Sequence, residues 1–256
     1  MKVVILAGGL GTRISEESHL KPKPMIEIGG KPILWHIMKY FSHYGHNEFI
    51  ICGGYKDYKI KEYFANYYLH TSDIMFDFEQ SATMSLNNKS ENWKVTCINT
   101  GLITMTGGRL LAVKDYIGDE PFFLTYGDGV SNVDLDKLLD HHKNSKSIVS
   151  LTAIQPGGRF GVLEIDDNLK INSFVEKSKE DGGWINGGFM VCSNEVFDYL
   201  LDSNTVFEKE PLETIATNGK LSAYKHEGFW QCMDTLRDRD LLEKLILDGV
   251  APWIVW

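Results

Sequence analysis

Residues 2–8, KVVILAG, run through branched apolar side chains straight into glycine, and the glycines continue at Gly9 and Gly11. A short apolar run rich in valine and isoleucine is a strand buried on both faces. Glycines at its end let backbone come close to a phosphate, a nucleotide ring or another turn. The neighbouring segments decide the kind of sheet. Pro32 suits the first position of a helix, and Leu34, Ile37, Met38, Phe41 and Tyr44 recur at helical spacing until Gly45 stops the run. EFIICGGY (48–55) reads as a second strand and YKIKEYFANYYLH (58–70) as a second helix. Strand alternating with helix demands a parallel sheet with helices on its faces. Such sheets bind ligands at the carboxyl ends of their strands.

Further along, NNKSEN (87–92) is a polar loop, WKVTCINT (93–100) a strand and GGRLLAVKDYI (107–117) a helix. PFFLTYGDG (121–129) is another buried strand, ending in Gly-Asp-Gly. VDLDKLLDHHKN (133–144) is a helix and SIVSLTAIQ (147–155) a strand. Beyond about residue 156, FGVLEID, KINSFVEK and WINGGFMV predict short strands in a mixed or antiparallel lobe. DTLRDRDLLEKLILDG (234–249) is an amphipathic helix. No internal repeat or low-complexity linker separates the parts. The 256 residues, 43% apolar, therefore suit a single body.

Charge narrows the partner. A net charge of −9 argues against non-specific binding to nucleic acid or an anionic membrane. Yet residues 1–31 carry +2, with Lys2, Arg13, Lys21, Lys23 and Lys31 against Glu16, Glu17 and Glu27, leaving −11 on the rest. A small basic segment around a glycine loop points to a compact anionic ligand. Lysines on a solvated loop are the plain alternative. No stretch approaches the roughly 20 apolar residues of a membrane span. The N-terminus has no signal-peptide pattern, so the expected location is the cytoplasm. Cys52, Cys97, Cys192 and Cys232 form no CxxC pair, which predicts buried thiols rather than a zinc or dithiol site.

The glycine loop fails two familiar phosphate motifs. GxxxxGK[ST] needs glycine at Met25 or Thr214 to match the GK pairs at 30–31 and 219–220. GxGxxG beginning at Gly9 meets Ile14 at its last position, and SEESHLKPKP stands where a helix should start. Nicotinamide chemistry is thereby disfavoured. A flexible anion-binding loop remains. Gly8, Gly9 and Gly11 can aim N–H groups at phosphate oxygens, Thr12 adds a hydroxyl, and Arg13 adds a permanently charged fork. The prolines of KPKPM stiffen the backbone that carries Lys21 and Lys23. Stiffly held lysine beside a phosphate loop suits phosphoryl or nucleotidyl transfer.

LAGGLGTR, KPKPM and GGKP, then YGDG (126–129), FGVLEID (160–166), FVEK (174–177) and INGGF (185–189), resemble the ordered motifs of the sugar-1-phosphate nucleotidylyltransferases. The resemblance runs nearly the whole length. NTGLITMTGGR (99–109) and GFWQCMDTLRDRDLLEKL (228–245) are similar to the cytidylyl branch of that family. The family implies an α/β, three-layer Rossmann-like nucleotide-diphospho-sugar transferase fold. A mixed, mainly parallel central sheet and a smaller β-rich sugar-binding lobe belong to it. In one domain, residues 1–155 would mainly bind nucleotide, and 156–256 the sugar phosphate, with the C-terminal helix. The implied substrates are CTP and glucose 1-phosphate. The sugar phosphate attacks the α-phosphorus in line, giving CDP-glucose and pyrophosphate with Mg²⁺. UTP- or dTTP-dependent transfer and a non-catalytic regulatory relative are the competing readings.

The resemblance also implies roles. Leu6, Ala7, Gly8 and Gly9 would offer backbone to base and ribose, and Leu10 would also contact the nucleotide. Gly11, Thr12 and Arg13 would hold the triphosphate, and Lys23 would bridge the reacting phosphates. Asp128 and Asp234 would hold the metal, which suits magnesium's habit of taking one or two carboxylates plus phosphates and water. By itself Asp128 could cap a turn and Asp234 could N-cap the last helix. Gly129, Glu176, Lys177, Asn186 and Gly187 match the sugar-phosphate site, although Glu176 and Lys177 could be an ordinary surface pair. Thr104 and Arg109 are candidates for base contacts. Arg109 could instead meet a phosphate, and Thr104 could be a packed strand residue. Many relatives carry WxDxGT where this chain has WQCMDTLRD, so contacts around Asp234 need not transfer from the thymidylyl branch.

His141-His142 have no accompanying metal spacing, and no GxSxG elbow exists. The aromatic run at 62–70 predicts a packed face or a subunit interface. The family implies a homo-oligomer, with three or six subunits in the cytidylyl branch. Its product commonly feeds dideoxyhexose synthesis for bacterial surface polysaccharides, lipopolysaccharide O-antigen among them.

Overall fold

The computed structural model describes residues 1–9, 21–155 and 183–256, together with the backbone of 162–165 and 171–175. Seven strands form the central sheet: β1 (Lys2–Ala7), β2 (Glu48–Gly53), β3 (Lys94–Asn99), β4 (Phe122–Tyr126), β5 (Val149–Ile154), β6 (Ile185–Cys192) and β7 (Leu221–His226). Their spatial order is β3-β2-β1-β4-β6-β5-β7. All pairs are parallel except those made by β6, which runs antiparallel to both β4 and β5. The sheet is thus the mixed, mainly parallel one expected.

Side chains of β1 alternate between two cores. Val3, Ile5 and Ala7 join the helix Ile33–His43 on one face, with Leu138, Leu242 and Trp253. Val4 and Leu6 join Leu110, Ile117, Phe197 and Ile215 on the other. Helices therefore cover both faces, which is the three-layer arrangement. The chain steps from β1 outward to β3, then restarts at β4 on the other side of β1. That reversal leaves a crevice at the carboxyl ends of β1 and β4.

Local departures have local causes. Pro32 caps the first helix rather than beginning it, because it is held with Lys31 in a short ribbon against Glu27 and Ile28. The segment 58–70 divides into helices Asp57–Ala65 and Tyr67–Thr71 at Asn66. The 107–117 segment divides similarly into Thr106–Leu111 and Lys114–Ile117. Of the three late strands expected in a separate lobe, Val162–Ile165 and Ile171–Val175 pair only with each other. The third, β6, belongs instead to the middle of the main sheet. Its unbroken buried run from Gly187 to Cys192 needs cover on both faces, which only an interior position supplies. Residues 73–86, for which the sequence suggested no element, form the hairpin Asp73–Asp77 with Ala82–Leu86.

Among the described residues no helix is long and apolar enough to cross a membrane. Cys52 and Cys192 are buried free thiols, while Cys97 and Cys232 are only partly buried. His142 lies buried between the hydroxyls of Ser150 and Ser193.

Candidate active site

The crevice at the β1–β4 switch point holds a cavity of about 270 Å³. Leu6, Ala7, Gly8 and Gly9 line one wall. Lys23, Thr104, Arg109 and Asp128 are among the residues that line the rest. The sequence motifs single out every one of these, from positions as distant as Leu6 and Asp128. Gly127 donates its N–H to the Leu6 carbonyl at 3.0 Å, which locks the Gly-Asp-Gly turn against the end of β1.

Lys23 arrives on a turn of 3₁₀ helix, Lys23–Met25, set by Pro22 and Pro24. The prolines fix φ and stiffen this arm, as the sequence suggested. The Nζ donates to Asp128 Oδ2 at 2.6 Å and to Asp234 Oδ1 at 2.5 Å, with the lysine side chain only 12% exposed. Burial works against the ammonium, but the Asp128 charge and the two hydrogen bonds outweigh it and hold the Lys23 pKa above the ordinary lysine value. The group is a permanent cation here.

A two-stranded ribbon explains how Asp128 and Asp234 meet. Gly129–Ser131 pairs antiparallel with Trp230–Cys232, placing Cys232 opposite Gly129. The Met233 N–H then donates to the Asp128 carbonyl at 2.8 Å. The ribbon turns a wide separation along the chain into contact. Asp234 is not the helix cap that its position allowed. Thr235 caps the helix Leu236–Leu247 in a capping box with Asp238, which leaves the Asp234 carboxylate to Lys23. Asp128, Asp234 and Cys232 each offer a ligand atom within 4.8 Å of the others. The carboxylates suit a hard divalent cation. The thiol does not, and burial together with the Asp128 charge pushes its pKa far up. Two oxygen ligands from the protein, with phosphate and water completing the shell, fit this donor set.

Arg109 is held differently. It is 5% exposed, and its guanidinium donates to the carbonyls of Gly8, Gly53, Gly101 and Leu102 and to the Thr100 hydroxyl. All five acceptors are uncharged. Burial lowers its pKa from the ordinary arginine value, though the group is still a cation at neutral pH. The candidate base or phosphate contact thus braces the ends of β1, β2 and β3 around the cavity. Gly8 and Gly54 make room for it, since a Cβ would lie 2.1 Å and 2.6 Å from Arg109 Nη1. Thr104 is half-buried in the cavity wall.

Asn186 and Gly187 begin β6 beside this crevice. Asn186 Oδ1 accepts from the Gly188 N–H at 2.9 Å, and Trp230 Nε1 donates to the Gly187 carbonyl at 2.6 Å. Gly129 is buried in the ribbon. Leu10, Gly11, Thr12, Arg13, Glu176 and Lys177 lie outside the described residues. Sequence reasoning did not select Tyr126, Trp230, Cys232 or Glu208. Tyr126 immediately precedes Gly-Asp-Gly and was within reach of that signal. Glu208 lies in an irregular stretch and carried none.

The profile of the nucleotidyl transferase family matches residues 2–238. Over its full length the chain is 53% identical to the glucose-1-phosphate cytidylyltransferase of Salmonella typhi, covering all of that protein. It is 46% identical to the probable glucose-1-phosphate cytidylyltransferase of Bacillus subtilis, again over the whole of both chains. The crystal structure of HddC from Yersinia pseudotuberculosis superposes with a TM-score of 0.70 at 27% identity, covering 96% of this chain and 99% of that one.

Proposed function

The chain belongs to the nucleotidyl transferase family, and from that premise we propose that it is a glucose-1-phosphate cytidylyltransferase acting with Mg²⁺ in the cytoplasm. It joins CTP and glucose 1-phosphate to give CDP-glucose and pyrophosphate. The observation that carries the reading is Lys23 held between Asp128 and Asp234 at the mouth of a glycine-lined crevice. Transfer between phosphates needs positioning and charge neutralisation and no protein nucleophile.

In this reading Asp128 and Asp234 would hold the magnesium ion, which would supply neutralisation of phosphate charge and polarisation of the α-phosphorus. Lys23 moves its ammonium from the carboxylates to the reacting phosphates while remaining charged. Gly8 and Gly9 give the base and ribose backbone at close range, and Thr104 lies where the base edge is read. Arg13, with Gly11, Thr12 and Leu10, holds the triphosphate. Glu176, Lys177, Asn186, Gly187 and Gly129 bind the sugar phosphate. Arg109 keeps the strand ends in place and adds positive potential to the cavity, with no direct ion pair to a carboxylate among the described residues.

We extend the proposal to a homo-oligomer of six subunits. The hairpin Asp73–Leu86 supports assembly, because it leaves Met75, Phe76, Phe78 and Met84 exposed. A two-stranded hairpin is marginal alone and gains from being covered. Light scattering checks the mass.

The test of the reaction is pyrophosphate release with Mg²⁺, glucose 1-phosphate and each of CTP, UTP, dTTP, ATP and GTP. Release with CTP that disappears in Asp128→Ala is expected. Release mainly with UTP or dTTP would overturn the base assignment. Tight CTP binding without release would make the chain a regulatory relative.

A further inference from the structure

Tyr126 and Glu208 form a connection that neither the metal nor the phosphate chemistry uses. The Tyr126 hydroxyl donates to Glu208 Oε1 at 2.5 Å. A phenol has one proton to give. Once that proton is committed to the carboxylate, the oxygen can only accept from its other neighbour. That neighbour is Asn186 Nδ2, at 3.4 Å. The Gly188 N–H independently requires an acceptor, and Asn186 Oδ1 supplies it. Both contacts demand the same orientation of the Asn186 carboxamide. Among the described residues Tyr126 is the partner of that amide nitrogen, which has a second N–H to offer a ligand.

Glu208 is itself held. Its Oε2 accepts from the Thr106 hydroxyl at 2.6 Å, and that hydroxyl accepts from the Phe207 N–H at 2.9 Å. The segment around it lies tightly on the helix Thr106–Leu111. A Cβ on Gly107 would sit 2.8 Å from the Thr205 carbonyl, and one on Gly108 would sit 2.5 Å from that of Ser203. The paired glycines of TGGR are therefore a seat for residues 203–205. Gly188, at φ +93°, likewise lets the Tyr126 ring lie against it, where a Cβ would be 2.9 Å away.

We infer that Glu208 is a positioning residue for the sugar: through Tyr126 it fixes which way Asn186 presents its carboxamide, and through Thr106 it ties that setting to the helix bracing the nucleotide cavity. The inference rests on the proposed sugar-binding role of Asn186. A carboxylate suits the task because it accepts from two hydroxyls at once, one through each oxygen. A glutamine has one acceptor oxygen, so at one end it would have to donate instead, which reverses that contact and releases the hydroxyl proton it held.

The experiment is steady-state kinetics of the full chain with CTP and glucose 1-phosphate, each varied, for Glu208→Gln, Tyr126→Phe and the double variant. Each single variant is expected to raise KM for glucose 1-phosphate about fivefold, with KM for CTP and kcat within about twofold. The double variant should be no worse than the worse single one, since both remove the same restraint. Thermal melts accompany each variant, and Tyr126→Phe carries the test if Glu208→Gln does not fold. Equal rises in both KM values, additive effects, or an unchanged sugar KM would overturn the inference. Wild-type chain that releases no pyrophosphate from CTP and glucose 1-phosphate would overturn the proposed reaction instead.

Discussion

Two cations line the same cavity and are held in opposite ways. Lys23 stands between two carboxylates, and Arg109 stands among five uncharged oxygens. An ammonium on a flexible stem with ionic partners can be exchanged for another cation or drawn to a more negative group. A planar fork satisfied by fixed carbonyls cannot leave without stranding them. In the proposed reaction the contrast would separate a charge that takes part from one that shapes the place where it happens.

The largest effect should come from Lys23→Ala. Removing one preorganised charge-stabilising donor lowers kcat by about 10²–10³. The same change removes the competing ammonium from Asp128 and Asp234, so calorimetric titration should find tighter Mg²⁺ binding. Weaker binding would mean that Lys23 supports the metal rather than standing in for it.

Arg109→Lys should act on stability. Lysine keeps the charge but cannot reach five acceptors, and unpaired buried carbonyls cost about 1–3 kcal/mol in a denaturant titration. A loss of kcat as large as that of Lys23→Ala, in a variant of unchanged stability, would erase the distinction between the two cations.

His36 is a buried basic group that stays neutral, and it marks the contrast with both cations through pH. Burial pushes its pKa down to about 4, while its Nε2 bonds the Ile28 carbonyl at 2.9 Å. The unfolded chain gains this proton near pH 6.5, and the folded chain gains it only near 4. Its contribution is therefore complete above pH 6.5 and is lost as pH falls toward 4, by up to about 1.4 kcal/mol per pH unit. In His36→Gln the slope of stability against pH should be shallower. The smallest effect belongs to Thr235→Ala. Loss of the capping box costs about 1 kcal/mol and loosens the helix start beside Asp234. A raised Mg²⁺ requirement at nearly unchanged kcat is the expected kinetic signature.

The alternation that predicted a parallel sheet was legible because strand and helix periods are local. Even so, WINGGFMV looked like part of an outlying lobe. Its place inside the main sheet depends on strands read elsewhere in the chain. The break at Asn66 and the hairpin at 73–86 escaped the pattern because neither has a strong apolar period. In the crevice, Lys23, Asp128 and Asp234 were recognisable by type and motif. The sequence alone left Asp234 as either cap or ligand, and the structure gives the cap to Thr235.

Residue type and near neighbours were enough to dictate the buried runs, the glycines where backbone closes in, and the charges assembled for a phosphate ligand. Packing dictated who meets whom: Asp128 with Asp234 through a ribbon, Arg109 with the ends of three strands, Glu208 with Tyr126. Each contact joins segments that become adjacent only after the sheet order is set, and that order is a property of the packed whole.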